Sequence, residues 1–195
     1  AKENAETNLQ NARELFEAAR TTLLTDNGAN WLQVAFSDCF KLKSGDGLTA
    51  KAMVHGSYEV YGGNGIAGHH NRSNLSGENV IIGRVGALCG NARLIVNDIW
   101  LTDNAFLVSD FKHDFDLTFL TFVLNFMNLR DFARQAAQPV ISNSSLKDVV
   151  LHFPENTSEQ RKVAERLLEL EAEVEKLEAH YTTKLTDIAD LRQSL

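Results

Sequence analysis

The sequence predicts an α+β protein, in which a small globular mixed α/β module is flanked by two long helices that pair as an antiparallel coiled coil. The first observation is the distribution of helix breakers: all 12 glycines lie from Gly28 to Gly90, and the only prolines are Pro139 and Pro154. Ends that lack both residue types favour helical arms around a loop-rich middle. The second is that apolar residues at both ends recur at alternating spacings of three and four, the coiled-coil repeat. We expect a helix over 1–28, the module over 29–156 and a helix over 157–195.

Each predicted helix has a continuous apolar seam. The first seam consists of Ala5, Leu9, Ala12, Phe16, Ala19 and Leu23. The second consists of Val163, Leu167, Leu170, Val174, Leu177, Tyr181, Ile188, Leu191 and Leu195, with Lys184 as its one polar position. We expect both seams to be helix interfaces, which can pair with each other or with a second copy of the chain.

The ends of these helices are also marked. Gly28 stands where a left-handed C-cap residue would end the first helix. Thr157 and Gln160 have the spacing of a capping box and follow shortly after Pro154. A second helix of about 36 residues would be roughly 54 Å long, which suits a spacer.

Short apolar runs bounded by Gly, Asn and Asp predict the strands of the module. They cover residues 80–82, 93–96 and 105–108, with 140–141 and 149–153 as two further candidates. Residues 116–135 predict a helix, and its Phe and Leu side chains fall on nearly every face, so we expect it to pack inside the module. The module is therefore expected to be built around a small sheet.

Composition excludes several classes of protein. Two cysteines, Cys39 and Cys89, are too few for a disulfide scaffold, and no secretion signal is evident. The longest apolar stretch, 117–129, is interrupted by Thr and Asn and is too short to cross a bilayer. We expect a cytoplasmic protein without membrane association, and the missing initiator methionine favours a fragment of a longer chain.

The sequence offers little to support an enzyme. It lacks the P-loop pattern, and neither its cysteines nor the adjacent His69 and His70 have the spacing of zinc ligands, so we expect no metal and no cofactor. One catalytic alternative stays open, because Cys89 lies in a Gly-rich turn and could be a nucleophile. Its possible partners are His69, His70 and Asp103. That alternative is a cysteine-dependent hydrolase with a coiled-coil oligomerisation arm; a purely structural coiled-coil adaptor is the third.

Five segments in order resemble one protein family. They are residues 56–65 (GSYEVYGGNG), 80–91 (VIIGRVGALCGN), 100–105 (WLTDNA), 138–142 (QPVIS) and 158–163 (SEQRKV), the last opening a helix that ends in LRQSL. Together they resemble the target-recognition domain and following conserved helix of the specificity subunit of type I restriction–modification enzymes. Residues 8–17 (NLQNARELFE) are similar to the end of that family's central helix. The resemblance covers nearly the whole chain and corresponds to the C-terminal half of the subunit.

This resemblance implies a DNA-reading protein without catalytic residues of its own. In the family each recognition domain reads one half of a bipartite target, the helices act as a spacer, and methyltransferase subunits dock on the assembly before restriction subunits join. The resemblance thus implies double-stranded DNA, methyltransferase subunits and, indirectly, restriction subunits as partners. Because this chain has only one module, we also expect a two-fold homodimer.

Candidate DNA-binding residues are those that can bind phosphates or offer donors and acceptors to base edges. They are Lys41, Lys43, Lys51, Tyr61, Asn64, His69, His70, Asn71, Arg72, Asn74, Arg84, Asn91 and Arg93. We expect the three lysines at phosphates, and His70, Asn71, Arg72 and Asn74, which follow the Gly-rich stretch 61–68, at base edges. For Arg84, the alternative is a structural ion pair with Asp103.

The charge distribution restricts how DNA could be bound. The chain has a net charge of −7, divided as −2 over residues 1–29, −2 over 30–157 and −3 over 158–195. Since no region is basic, any DNA footprint has to be a local patch. We therefore expect the chain to bind DNA weakly alone and to depend on partner subunits for much of its phosphate affinity.

Overall fold

The structure, a computed structural model, describes residues 2–25, 31–134 and 139–193. Its helices are α1 (Lys2–Thr25), α2 (Phe36–Cys39), α3 (Leu117–Phe126), α4 (Asn143–Leu146) and α5 (Thr157–Gln193). Its strands are β1 (Trp31–Ala35), β2 (Lys41–Ser44), β3 (Tyr58–Gly62), β4 (Gly65–His70), β5 (Asn79–Gly83), β6 (Ala92–Ile95), β7 (Ile99–Leu101), β8 (Ala105–Ser109) and β9 (Val150–Pro154). The chain divides into two compact units, one of Ala1–Asn27 with Lys162–Leu195 and one of Gly28–Arg161. The second unit extends past the expected module of 29–156 to take in the first turn of α5.

The helical unit is an antiparallel pair formed within one chain. Asn8 Nδ2 donates to the Tyr181 hydroxyl at 3.1 Å, and Arg13 Nε donates to Glu178 Oε1 at 2.6 Å. The seam positions Ala5, Ala12 and Leu167 are buried. The side chains of Ile188, Leu191 and Leu195 lie outside the described residues. The two helices therefore pair with each other at these positions, while the seam residue Leu177 stays 42% exposed. No helix in the described part of the chain is long and apolar enough to span a membrane.

The start of α5 differs from the predicted capping box. The Asn156 side-chain oxygen, not that of Thr157, accepts a hydrogen bond in the first turn, from Ser158 N at 2.8 Å. Gln160 is fully buried, and its side chain serves the module. The amide group donates to Pro154 O (2.8 Å) and Asp114 O (3.1 Å), and its oxygen accepts from Asp116 N (2.8 Å). The capping-box prediction was wrong because the glutamine has three tertiary partners. Gly28, the expected C-cap of the first helix, lies outside the described residues.

Within the described part of the module the strands form three sheets. Their orders are β1-β9, β2-β8-β5-β6 and β4-β3-β7. All pairs are antiparallel except β3 with β7. One core cluster joins the two larger sheets, because Ile81 and Ile95 from one pack with Ile99 and Leu101 from the other. This packing holds the β3–β4 hairpin against the four-stranded sheet.

The apolar runs located four strands correctly, namely β5, β6, β8 and β9. The five other strands, β1 to β4 and β7, were not predicted. Residues 140–141 do not form a strand: Val140 makes only isolated bridges, to Val85 and Arg134. The predicted helix 116–135 ends at Phe126, because Asn128 adopts a left-handed conformation (φ +48°) before a 3₁₀ turn at Leu129–Phe132. Residue 135 lies outside the described range.

Helix α3 is packed inside the module, as expected, and it also covers the edge of β6. Phe119, Leu120, Val123 and Leu124 are buried. The Asn125 side chain accepts from Ala92 N at 2.8 Å and donates to Ala92 O at 3.0 Å. The amide thus takes the place of a further strand and satisfies backbone groups that an open sheet edge would leave unpaired.

Candidate nucleic-acid interface

Two turns that are distant in sequence pack together beside the core. One is the β3–β4 hairpin turn, residues 62–65, and the other is the loop 84–91; we call them the turn pair. The Asn64 side-chain oxygen accepts a hydrogen bond from Leu88 N at 3.0 Å. Gly63 lies against the second turn so closely that a Cβ there would be 2.0 Å from the Val85 carbonyl oxygen. Asn64 is therefore partly a structural residue, which joins the two turns.

Three arginines surround the turn pair. Arg84 Nη1 donates to Ser44 Oγ (3.2 Å) and to the backbone oxygen of Asp103 (3.4 Å), and its guanidinium lies 5.3 Å from the Phe106 ring centre. The alternative considered for Arg84, an ion pair with the Asp103 carboxylate, is not formed; the contact is with the Asp103 carbonyl. Arg130 Nη1 donates to Ala87 O at 2.7 Å, and the Arg93 guanidinium lies beside Gly65. Among the described residues, Arg84 Nε and Arg93 Nη1 are buried atoms without a hydrogen-bond partner.

A carboxylate that sequence reasoning missed lies beside this cluster. The Tyr61 hydroxyl donates to Glu59 Oε2 at 3.2 Å. Burial raises the pKa of Tyr61, the Glu59 charge raises it further, and Arg93 opposes both. Tyr61 therefore keeps its proton and acts as a donor. The spacing of Glu59 and Tyr61 along one face of β3 was the available signal, but it becomes visible only once β3 is known to be a strand.

Two of the expected base-reading residues serve the structure instead. The His70 ring is buried, its Nδ1 accepts from Val54 N at 3.0 Å, and its edge faces Trp100. The Asn74 amide donates to Leu101 O and Asp46 Oδ2, both at 2.9 Å, while its oxygen accepts from Leu101 N at 2.7 Å. These contacts use the hydrogen-bonding groups that base readout would need.

The residues between these two anchors are free. Asn71 and Arg72 are exposed, and in the part of the chain that the structure describes their side chains form no hydrogen bond or ion pair. His69, which precedes the first anchor in β4, is exposed as well. Residues 70–74, which we call the β4 loop, are thus fixed at His70 and Asn74 and present unpaired polar groups between them. Lys51 and Asn91 are also exposed.

Lys41 and Lys43 share one carboxylate. Lys43 Nζ lies 3.1 Å from Asp110 Oδ1, and Lys41 Nζ lies 3.4 Å from Asp110 Oδ2. Hydrogen bonds from Lys43 and then Lys41 lower the pKa of Asp110. All three side chains are exposed, so the pairs are weak. The two lysines and the aspartate together have a net charge of +1, which is available to a DNA phosphate.

The structure separates candidates that the sequence places close together. The turn pair lies at one end of β4 and the β4 loop at the other. Since β4 has six residues, these ends are about 17 Å apart. The chain therefore has two small polar surfaces in place of one continuous patch.

Both cysteines are buried, which bears on the hydrolase alternative. Cys89 Sγ donates to Arg84 O at 3.2 Å, and burial is the main cause of its raised pKa. Burial also raises the pKa of Cys39 to about 11. A catalytic thiol needs a lowered pKa and access to substrate. The structure does not support the cysteine-dependent hydrolase.

We expect the native thiols to react slowly with a chromogenic disulfide reagent at pH 8. For Cys39, a pKa of about 11 against an ordinary 9.0 lowers the thiolate population about hundredfold. The same reagent in urea supplies the rate of the unfolded chain, and a Cys39→Ser variant reports Cys89 alone. A native Cys89 that reacts faster than the unfolded thiol would restore the hydrolase alternative.

Comparison with known proteins agrees with the resemblance found in the sequence. Residues 29–186 match the family described as the type I restriction modification DNA specificity domain. The chain is 27% identical over 162 residues to the Escherichia coli type I restriction enzyme EcoprrI specificity subunit, covering 80% of this chain and 38% of that protein. It therefore spans about two fifths of that relative's length.

Solved structures share the fold. The S subunit from M. genitalium matches 97% of this chain and 55% of its own length, with a TM-score of 0.70 and 16% identity. The HsdS subunit from Thermoanaerobacter tengcongensis matches 98% of this chain and 51% of its own, with a TM-score of 0.74 and 12% identity. Since the family match covers most of the sequence, the chain belongs to the type I restriction–modification DNA specificity domain family.

Proposed function

We propose that this chain recognises a DNA sequence as part of a type I restriction–modification system. It would read one half of a bipartite target in double-stranded DNA and have no catalytic residues of its own. In the complete enzyme it would work in the cytoplasm and confer specificity on methyltransferase subunits and, indirectly, on restriction subunits. Family membership and the specificity-subunit names of its relatives support this proposal.

The observation that carries the proposal is the β4 loop. Asn71 and Arg72 lie between two anchors, His70 and Asn74, whose side chains are bonded to the module. Because the loop is anchored at both ends, ordering the Asn71 and Arg72 side chains on DNA costs little conformational entropy. Asn and Arg are the residue types that form bidentate contacts with adenine and guanine. We assign Arg72 and Asn71 to base edges and Lys51 to a phosphate.

An Arg72→Ala variant tests the assignment of the β4 loop. Selection from a random duplex pool with the unaltered chain supplies the preferred sequence; it is carried out at low salt, where weak phosphate contacts contribute most to binding. We expect Arg72→Ala to lose discrimination at one base pair by about 1–3 kcal/mol, or roughly 5- to 150-fold. Lys51→Ala should instead weaken all duplexes alike and reduce the salt dependence.

The matched control is Lys147→Ala, which removes an exposed lysine that is paired with Asp148. Its sequence preference should equal that of the unaltered chain. If Arg72→Ala also keeps the unaltered affinity and preference, the β4 loop does not read bases. Duplex binding that is undetectable even at low salt would favour the coiled-coil adaptor over a DNA reader.

We further propose that the helical unit binds a second copy of the chain. A groove of about 450 Å³ runs between α1 and α5. Two leucines on its rim are exposed, Leu15 at 71% and Leu177 at 42%. An exposed apolar groove favours association, and two-fold dimers are the commonest closed assembly. Methyltransferase subunits would dock on this helical unit as well.

Light scattering at micromolar concentration tests the dimer. We expect twice the chain mass for the unaltered protein and a monomer for the Leu15→Asp/Leu177→Asp double variant. Leu168→Asp is the control, because Leu168 is equally exposed (47%) but faces away from the groove at helical spacing. A monomeric unaltered chain contradicts the dimer. Retention of methyltransferase subunits by the double variant in a pull-down would place their docking elsewhere.

A further inference from the structure

Leu88 is an exposed apolar side chain at the tip of the loop 84–91. It is 38% exposed, whereas its neighbours Cys89 and Gly90 are buried. A single exposed leucine is common on protein surfaces. Leu88 differs from such a residue in how firmly it is held and in what surrounds it.

The backbone on both sides of Leu88 is held by tertiary hydrogen bonds. Leu88 N donates to Asn64 Oδ1 at 3.0 Å, and its carbonyl accepts from Asn91 N at 3.1 Å. The preceding carbonyl, of Ala87, accepts from Arg130 at 2.7 Å. These contacts fix the backbone on both sides of Leu88, so little backbone freedom remains to be lost on binding.

The backbone conformation of this turn also requires glycine at two positions. Gly86 and Gly90 have φ of +93° and +91°, and a Cβ would lie 2.5 Å from Asn64 Oδ1 at the first and 2.6 Å from Arg130 N at the second. Both residues are in a conformation that other L-residues rarely adopt. The turn is therefore a rigid support for the residue at its tip.

The surroundings of Leu88 are cationic. Arg84, Arg93 and Arg130 lie around the turn pair; Arg84 and Arg93 are half-buried and Arg130 is exposed. The accessible part of an arginine suits phosphates and guanine edges. An apolar side chain among these arginines could contact an apolar group that is exposed in a groove of the duplex. In the major groove of DNA that group is the 5-methyl of thymine.

We propose that Leu88 is a specificity-determining residue that reads a thymine through its 5-methyl group. The proposal rests on the proposed function, since it assumes that the turn pair faces DNA. It adds a second reading element to the β4 loop, at the other end of β4. The ends of β4 that carry the two elements are about 17 Å apart.

The test combines a change in the protein with a change in the DNA. Selection from a random pool gives a preferred duplex, and each thymine in it is then replaced by deoxyuridine, which lacks only the methyl. We expect one replacement to weaken binding by the unaltered chain about fourfold, the effect of one buried methyl-sized group. Leu88→Ala should bind the two duplexes equally, and Leu88→Met should keep the preference for thymine. Leu168→Ala, on the helical unit, should behave as the unaltered chain.

The outcomes separate this inference from the proposed function. If the chain selects a sequence but every deoxyuridine replacement affects Leu88→Ala and the unaltered chain equally, the inference is overturned and DNA recognition stands. The inference is also overturned if Leu88→Ala binds both the thymine and the deoxyuridine duplex more weakly than the unaltered chain does, by the same factor. Leu88 would then act through shape or insertion and not through the methyl group. If the pool yields no preferred sequence even at low salt, where phosphate contacts are strongest, both fail. Circular dichroism confirms that each variant is folded.

Discussion

Replacing Gln160 with leucine is expected to lower the free energy of unfolding by about 3–5 kcal/mol. The Gln160 side chain is fully buried and hydrogen-bonded to Asp114 O, Pro154 O and Asp116 N. Leucine has a similar size but leaves one backbone N–H and two carbonyls without these partners. Each unsatisfied buried group costs about 1–3 kcal/mol. The loss is expected to be large because the three groups join the end of β9, the start of α3 and the first turn of α5.

Urea unfolding followed by circular dichroism measures this loss. Arg161→Leu is the matched control on the next residue. The Arg161 side chain is 67% exposed and forms a surface ion pair with Asp116 at 3.4 Å. Such a pair contributes about 0–1 kcal/mol. If Gln160→Leu loses no more than Arg161→Leu, the buried amide does not hold these elements together.

Gly63→Ala is expected to separate the two turns of the turn pair and to destabilise the module by about 2–4 kcal/mol. The added methyl would lie 2.0 Å from Val85 O and 3.0 Å from Asn104 O. Both atoms belong to the backbone, so neither can turn aside as a side chain would. The hairpin has to move, and this movement breaks the Asn64 bond to Leu88 that holds the second turn. Any duplex binding through the turn pair should fall with it.

Gly47→Ala is the control for this substitution. At Gly47 an added Cβ would meet only Asp103 Oδ2, at 3.9 Å, so the expected change is within about 0.5 kcal/mol. Thermal unfolding of both variants and of the unaltered chain makes the comparison. Equal stability of Gly63→Ala and Gly47→Ala would mean that the turns are not packed as described.

The helical arms and the most apolar strands could be predicted from the amino-acid sequence. Seam residues at alternating spacings of three and four predict a helix with one buried face wherever the partner lies, and α1 and α5 confirm it. Residues 80–82 and 105–108 predict β5 and β8, because an uninterrupted apolar run has to be buried on both faces. These are local properties, which a single segment carries without knowledge of its neighbours.

The roles of the polar residues and the positions of the strands between the arms depend on tertiary contacts. β3 and β4 contain glycine and polar residues, β7 is only three residues long, and all three become strands by pairing with each other. Asn74 and His70 have the residue types of base readers, but their partners Leu101 and Val54 are 27 and 16 residues away in sequence. Gln160 likewise has the spacing of a capping box and instead bonds to Asp116, 44 residues away. A polar side chain bonds to whichever buried group the fold brings near it, and the local sequence pattern does not predict which group that is.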